Sequence, residues 1–295
     1  MPQCNICPRR CGVDRDGGEL GYCRAGGELR VAKYMPHFWE EPPLSGTRGA
    51  GTVFFSGCSL GCVYCQNRDI SRAAVGERVT EERLAEIIFE LENMGVHCID
   101  LVTPTHYTDK ISRVLSKIKH KLTVPVVWNS GGYETVESLK RLDGLVDIYL
   151  PDFKYASAEL GKRYSNAPDY QEVAAKALAE MYGQVGRAEF DSDGIMKKGV
   201  IVRHLVLPKG RFDSVEILKK IAQILPVKDI RLSLMSQYTP CFADDSEFPE
   251  LHRRITSFEY DLVAKTALEL GFEGYFQEHS SADRKYTPEF ACGEQ

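Results

Sequence analysis

Cys58, Cys62 and Cys65 lie in the run Phe55-Ser56-Gly57-Cys58-Ser59-Leu60-Gly61-Cys62-Val63-Tyr64-Cys65-Gln66-Asn67, directly after a short apolar segment. Their spacing is C-x3-C-x2-C. Three thiolates can hold a four-iron cluster and leave one iron open, whereas clusters that only carry electrons usually take a cysteine at every iron. An open iron binds something exchangeable, which turns an electron carrier into a catalyst. A zinc site or buried free thiols are the alternatives, and zinc sites favour two C-x2-C type pairs closing a tetrahedron. A second set, Cys4, Cys7, Cys11 and Cys23, has the spacing C-x2-C-x3-C-x11-C and is a complete four-ligand set in a segment too short to fold without a staple. It suits zinc, through tetrahedral thiolate closure, or a second iron–sulfur cluster, and unligated thiols are the remaining reading.

Seven of the ten cysteines fall within the first 65 residues. Such clustering in a chain of 295 residues reads as metal ligation rather than a disulfide framework. Cys98, Cys241 and Cys292 stand apart and read as ordinary thiols. Hydrophobic residues make up 43%, enough for a large core. The net charge of −5 and the lack of an extended basic run argue against a nucleic-acid partner. No stretch approaches the roughly 18 apolar residues of a membrane span, and the Cys-rich, polar N-terminus lacks a secretory apolar region, so a cytoplasmic protein with no membrane partner is expected.

The elements that must position these thiols follow from periodicity. Residues 1–50 are broken by Pro, Gly and charge and predict a loop-rich, metal-binding extension. From Gly51, short apolar runs alternate with helix-period segments. Strands are expected at Val53–Phe55, Cys98–Val102, Val124–Trp128, Val146–Leu150, Val200–Leu207 and Ile230–Met235. Between them, Leu84, Ile87, Ile88, Leu91 and Met94 share one helical face after Thr80, a good N-cap. Further helices are expected around Ile111–Ile118, Val136–Leu142 and Val215–Leu225. Continuously apolar strands separated by helices argue for parallel pairing, hence an α/β fold with a partial (β/α)6 TIM-like barrel over residues 51–240. Residues 156–199, with one helix around Val173–Met181, interrupt the period as an insertion, and residues 241–295 supply a helix and a tail packing on the barrel.

A barrel places ligand contacts where its strands end. Four polar clusters lie there: Thr103-Pro104-Thr105-His106-Tyr107, Asn129-Ser130-Gly131-Gly132, Asp152-Phe153-Lys154, and Arg203. The small residues of the second let a backbone approach a ligand, although a glycine turn into the next helix explains them equally. Asp152 and Lys154, two apart at a strand end, point to one side; a surface ion pair is the plainer reading. Arg203, in an otherwise apolar strand, requires an anionic partner inside the barrel.

The C-x3-C-x2-C triplet, with Tyr64 before its last cysteine and a strand before its first, resembles the signature of the radical S-adenosylmethionine superfamily. The resemblance implies the same partial barrel. It also implies a 4Fe–4S cluster on Cys58, Cys62 and Cys65 whose open iron binds S-adenosylmethionine, and one-electron cleavage to a 5′-deoxyadenosyl radical that abstracts hydrogen from a substrate. Cofactor-binding residues would be Tyr64, Thr103, Thr105, Asn129, Ser130, Asp152, Lys154 and Arg203. Thr103 and Thr105 stand where many members carry a Gly-Gly-Glu stretch for the methionine ammonium, with His106 either a contact or a surface residue. Asn129 and Ser130 would face the ribose, and Arg203 the methionine carboxylate. Asp152-Phe153-Lys154 resembles the Asp-x-Lys motif of activating enzymes for glycyl radical enzymes, which makes Asp152 and Lys154 the catalytic candidates. Together, Cys4-x2-Cys7-Pro8-Arg9-x-Cys11, His37-Phe38-Trp39-Glu40-Glu41-Pro42 and Thr52–Cys58 resemble the PflX-like group, which is similar to pyruvate formate-lyase activating enzyme. Where the pyruvate formate-lyase activating enzyme group tends to carry a histidine close to the nucleoside, this sequence has Gln237 and Tyr238. Implied partners are an electron donor such as flavodoxin or ferredoxin and, as a candidate target, a glycyl radical enzyme. A small molecule or peptide as substrate, and a non-catalytic iron–sulfur redox sensor, are the alternatives.

Overall fold

The computed structural model describes residues 3–73, 75–240 and 247–277. Its centre is one sheet in the order β10-β9-β8-β6-β5-β4-β2-β1-β3. The strands are β1 (Leu29–His37), β2 (Ala50–Phe55), β3 (Glu77–Val79), β4 (Ile99–Val102), β5 (Val126–Ser130), β6 (Ile148–Pro151), β7 (Glu189–Phe190), β8 (Met196–Leu205), β9 (Arg231–Met235) and β10 (Gly274–Phe276). From β2 through β4, β5, β6, β8 and β9 to β10 every pairing is parallel, and β1 and β3 extend the β2 side antiparallel. The fold is α/β with a mostly parallel sheet, as the alternating pattern predicts.

Strand alternation sorts side chains between two layers. Ile99, Leu101, Val126, Trp128, Tyr149, Val200 and Val202 join the large core beneath the helices. Cys98, Val127, Ile148, Leu150, Met196 and Ile201 form a second, inner cluster, closed by Leu44. The same alternation sends Asp100, Asn129 and Arg203 to the inner side, above that apolar plug. Helices α3 (Glu81–Asn93), α4 (Thr108–Ile118), α5 (Val136–Leu139) and α8 (Arg211–Ile224) form where expected, and the short α2 (Arg68–Ser71) follows the cysteine loop. Thr80 caps α3, its hydroxyl accepting from the Arg83 amide at 3.1 Å.

Several elements differ from the expectation. The stretch read as loop through residue 50 is regular from Leu29: β1 pairs with β2 and β3, and Pro42–Ser45 forms α1 after the short α-helical signal of its proline. The expected insertion at 156–199 is the crossover between β6 and β8. It carries two helices, α6 (Ala158–Ser165) and α7 (Tyr170–Val185), and a β7–β8 hairpin turning at Asp191–Gly194. Beyond residue 246, α9 (Ser257–Glu269) precedes β10, a seventh parallel strand. Cys241, Cys292 and the tail after residue 277 lie outside the described residues. Among the described residues no helix is long and apolar enough to cross a membrane.

Candidate iron–sulfur and cofactor site

β2 ends at Phe55, and the loop that follows carries Cys58, Cys62 and Cys65 to the rim of a cavity of about 970 Å³. The other walls are the C-terminal ends of the parallel strands: Val102 and Thr103, Asn129 to Gly131, Asp152 and Lys154, Arg203, Met235, and Tyr275 and Phe276. Phe38 to Glu41, between β1 and α1, close one side.

The three thiols are free, with Cys62 buried and the others half-buried. The Ser165 hydroxyl donates to Cys62 Sγ at 3.0 Å and the Leu60 amide to Cys58 Sγ at 3.4 Å. Burial, then the neighbouring sulfurs, push the Cys65 thiol up to about 12 and raise Cys58. Thiolates here therefore require a cationic partner, and metal ligation supplies one. Hydrogen bonds aimed at the sulfurs suit cluster thiolates, whose potential they tune. Three free thiols on one loop, all lining the cavity, match three corners of a four-iron cube, so the donor set fits a cluster.

The same cavity is lined by a row of buried charge. Asp152 accepts from Lys154 Nζ at 2.6 Å and from Arg203 Nε at 3.0 Å. Arg203 Nη1 lies 3.6 Å from Glu40 Oε2, and its Nη2 donates to Asn129 Oδ1. Asn129 Nδ2 donates to Asp100 Oδ2 at 3.3 Å. Burial alone would raise Asp152, but Lys154 and Arg203 outweigh it and hold the carboxyl below its usual range. Glu40 is raised well above its usual value by burial, then by Asp100 and Glu41.

The anionic partner that Arg203 requires is thus present in the chain itself, as Asp152 and Glu40. Asp152 and Lys154 face the cavity together rather than forming a surface pair. Tyr64 lines the cavity, and its hydroxyl lies 2.8 Å from that of Tyr155. Thr103 sits at the rim with φ at 58°, a strained conformation for a β-branched residue, held by its amide bond to Asn129 O at 2.8 Å. Gly132, at φ of 72°, packs so tightly that a Cβ would stand 2.2 Å from Asp152 O, so the chain's own turn and packing, with no ligand involved, require this glycine.

Two candidates are engaged elsewhere. Thr105 does not line the cavity; its hydroxyl donates to Glu134 at 3.1 Å. Glu134, buried, also accepts from Trp128 Nε1 at 2.7 Å and Ser130 Oγ at 2.6 Å, so the Ser130 hydroxyl is committed to it although Ser130 lines the cavity. His106, expected as a contact or a surface residue, is a buried histidine whose Nε2 lies 2.8 Å from Ser56 O. Sequence reasoning missed Glu40, Glu41, Asp100 and Glu134. Asp100 was findable: a lone acid in the apolar run Cys98–Val102 is the same signal as Arg203.

Asp100 gives a pH prediction. It is fully buried, Oδ1 has no hydrogen-bond partner, and burial raises the carboxyl from 3.8 to about 7 despite Arg203 and Asn129. The folded state keeps this proton where the unfolded chain has lost it. Stability is therefore whole below the unfolded value, falls as pH rises between the two, and stays reduced above about 7. Asp100→Asn is expected to exceed wild type in urea midpoint at pH 8 and to lose that advantage toward pH 4.

Fold and site define an α/β protein with a three-cysteine loop at the mouth of a mostly parallel sheet. Residues 45–158 match the family described as a 4Fe-4S single cluster domain. The chain is 31% identical over 277 residues to uncharacterized protein MJ0674 of Methanocaldococcus jannaschii, covering 90% of this chain and 73% of that protein. It belongs to the family of that archaeal protein. Among solved structures, methylornithine synthase (PylB) matches at 16% identity and a TM-score of 0.48, over 77% of this chain and 70% of that one. SuiB of Streptococcus suis bound to S-adenosylmethionine matches at 14% and 0.49, over 75% of this chain and 48% of that one, so this chain spans about half of SuiB.

Proposed function

We propose that this protein is a radical S-adenosylmethionine enzyme that abstracts hydrogen from a substrate bound in the cavity. The observation that carries this reading is that three free thiols and the Asp152–Lys154–Arg203–Glu40 row line one cavity. A cluster bound by Cys58, Cys62 and Cys65 would supply the electron that cleaves the sulfonium. The chain's own residues do the rest: Arg203 and Lys154 offer charge to a carboxylate, Thr103 and Asn129 offer oxygens at the rim, and the apolar plug below seals the base against water.

The substrate would enter past Phe38 and Trp39, which are 53% and 62% exposed. An exposed aromatic rim beside Glu40 and Glu41 suits a peptide or protein segment, and the glycyl residue of a glycyl radical enzyme is one such target, with flavodoxin or ferredoxin as electron donor. A small-molecule substrate would leave that rim without a task. The test is anaerobic: reconstitute with iron and sulfide, reduce, add S-adenosylmethionine, and separate the products. 5′-Deoxyadenosine and methionine in equal amounts are expected; a fully clustered protein that neither binds nor cleaves S-adenosylmethionine overturns the reading in favour of a redox sensor.

A further inference from the structure

The Cys4, Cys7, Cys11 and Cys23 set is not used by the cavity. All four thiols are free. Residues 3–28 contain no helix or strand, yet their path is fixed: the Cys4 amide donates to Val13 O at 3.1 Å, the Gly12 amide to Cys4 O at 3.1 Å, and the Arg10 amide to Cys7 O at 3.0 Å. A Cβ on Gly21 would stand 3.3 Å from both Cys11 Sγ and Cys23 Sγ, so the absence of a side chain there opens the space between two sulfurs. The four thiols gather in one place: Cys11 is hydrogen-bonded to Cys4, and Cys7 is flanked by Cys4, Cys11 and Cys23. A group held among them would lie one hydrogen bond from the loop of Cys58, a place that suits an electron carrier better than a structural zinc.

The set also has a direction. Cys7 and Cys23 are buried, while Cys4 and Cys11 are half-buried at the outer edge. The inner edge is fastened to the cavity loop. Cys23 O accepts from the Cys58 amide at 3.3 Å, and Gly57, at φ of 90°, fits only because a Cβ would stand 2.5 Å from that same oxygen. Arg9, between Cys7 and Cys11, donates to Ser59 O at 2.8 Å and to Ser165 O at 2.7 Å, and the Ser165 hydroxyl bonds Cys62 Sγ.

We infer that Cys4, Cys7, Cys11 and Cys23 hold a second iron–sulfur cluster that passes electrons, one at a time, from an external donor to the cluster of the Cys58 loop. A low-potential protein such as a reduced flavodoxin loses one electron at the outer edge. The second cluster is reduced by it and reoxidised as the loop cluster takes it, with no proton or bond changing hands. The existence of this cluster is independent of the proposed radical chemistry; only the destination of the electron rests on that reading.

The first measurement uses the Cys58→Ala, Cys62→Ala, Cys65→Ala variant, reconstituted anaerobically with ferrous iron and sulfide. It should retain about four irons and about four sulfides per chain, with the paramagnetic signal of a reduced four-iron cluster. One zinc per chain in its place, or no bound metal, overturns the inference whether or not wild type cleaves S-adenosylmethionine. The second compares reduction of the loop cluster in wild type and Cys11→Ser, followed by its spectrum with S-adenosylmethionine added. Reduction by flavodoxin should slow at least about tenfold in the variant and reduction by dithionite should not change. Equal rates with flavodoxin overturn the relay. The first measurement stands even where Cys11→Ser fails to fold.

Discussion

Arg203→Met should destabilise the folded chain by about 3–5 kcal/mol, the usual cost of removing one partner from a buried charge pair, read as a fall in urea midpoint at pH 7. The guanidinium is bonded to Asp152 and Asn129 and lies against Glu40, with side-chain exposures of 16% for Arg203, 17% for Asp152 and 11% for Glu40. Methionine fills much of the volume and removes the charge, so the loss is electrostatic rather than a cavity. Two effects limit it. Lys154 still holds Asp152, and Glu40, already raised by burial and its acidic neighbours, escapes an unpaired charge by taking a proton. The expected value is therefore at the lower end of the range. Arg203→Lys keeps the charge but loses the planar fork that reaches Asp152 and Asn129 together, and should cost about half as much. An Asp152→Asn, Arg203→Met double variant should lose less than the two singles added, because each removes the other's reason for being charged. Full additivity would mean that the pair is not coupled and that the row is not a unit.

That row shows where sequence is informative and where it stops. Strands β4, β5, β6, β8 and β9 are legible because each carries a buried, mainly apolar run between helix-period segments, although β8 opens earlier than expected, through the exposed Lys197 and Lys198. β1 is not, since Lys33, Tyr34 and Pro36 break its pattern and its second neighbour, β3, is a three-residue exposed strand. α6 is hidden by its shortness and by Gly161, which must stay small because a Cβ would meet Ala167 O at 2.4 Å. β10 has only three residues and opens on Gly274, too few for a period. Charge inside a strand is visible locally, so Arg203 announces a buried anion. Its identity is not local: Glu40 arrives from the β1–α1 connection, and Asn129 from β5, two strands away in the sheet. Only the curl of the sheet brings them together. Thr105 illustrates the converse, a strand-end hydroxyl that the backbone turns toward Glu134 and away from the cavity.

Replacing Cys58, Cys62 and Cys65 together by alanine should abolish 5′-deoxyadenosine formation while leaving the sheet folded. The thiols stand on a loop beyond the end of β2; Cys62 belongs to the helix-facing core and Cys58 and Cys65 pack at its edge, but the inner cluster around Leu44, Val127 and Ile201 includes none of them. The loop itself is tied by bonds that do not use sulfur: the Val63 amide to Tyr164 O at 2.9 Å, the Gly57 amide to Ile70 O at 2.8 Å, and Arg72 to the carbonyls of Gly61 and Cys62 at 3.1 Å. Each lost thiol removes a small group, buried at Cys62 and half-buried at Cys58 and Cys65, so the summed cost in stability should stay near about 1–3 kcal/mol, and the far-ultraviolet circular dichroism should match wild type. On the proposed reading the electron reaches the sulfonium only through the cluster these thiols would hold, so product should fall to the level without enzyme. Single variants should fall nearly as far, because three ligands act as one unit on the cluster. Product above that background in the triple variant, at matched folding, would place the chemistry at some other centre and remove the cavity loop from the mechanism.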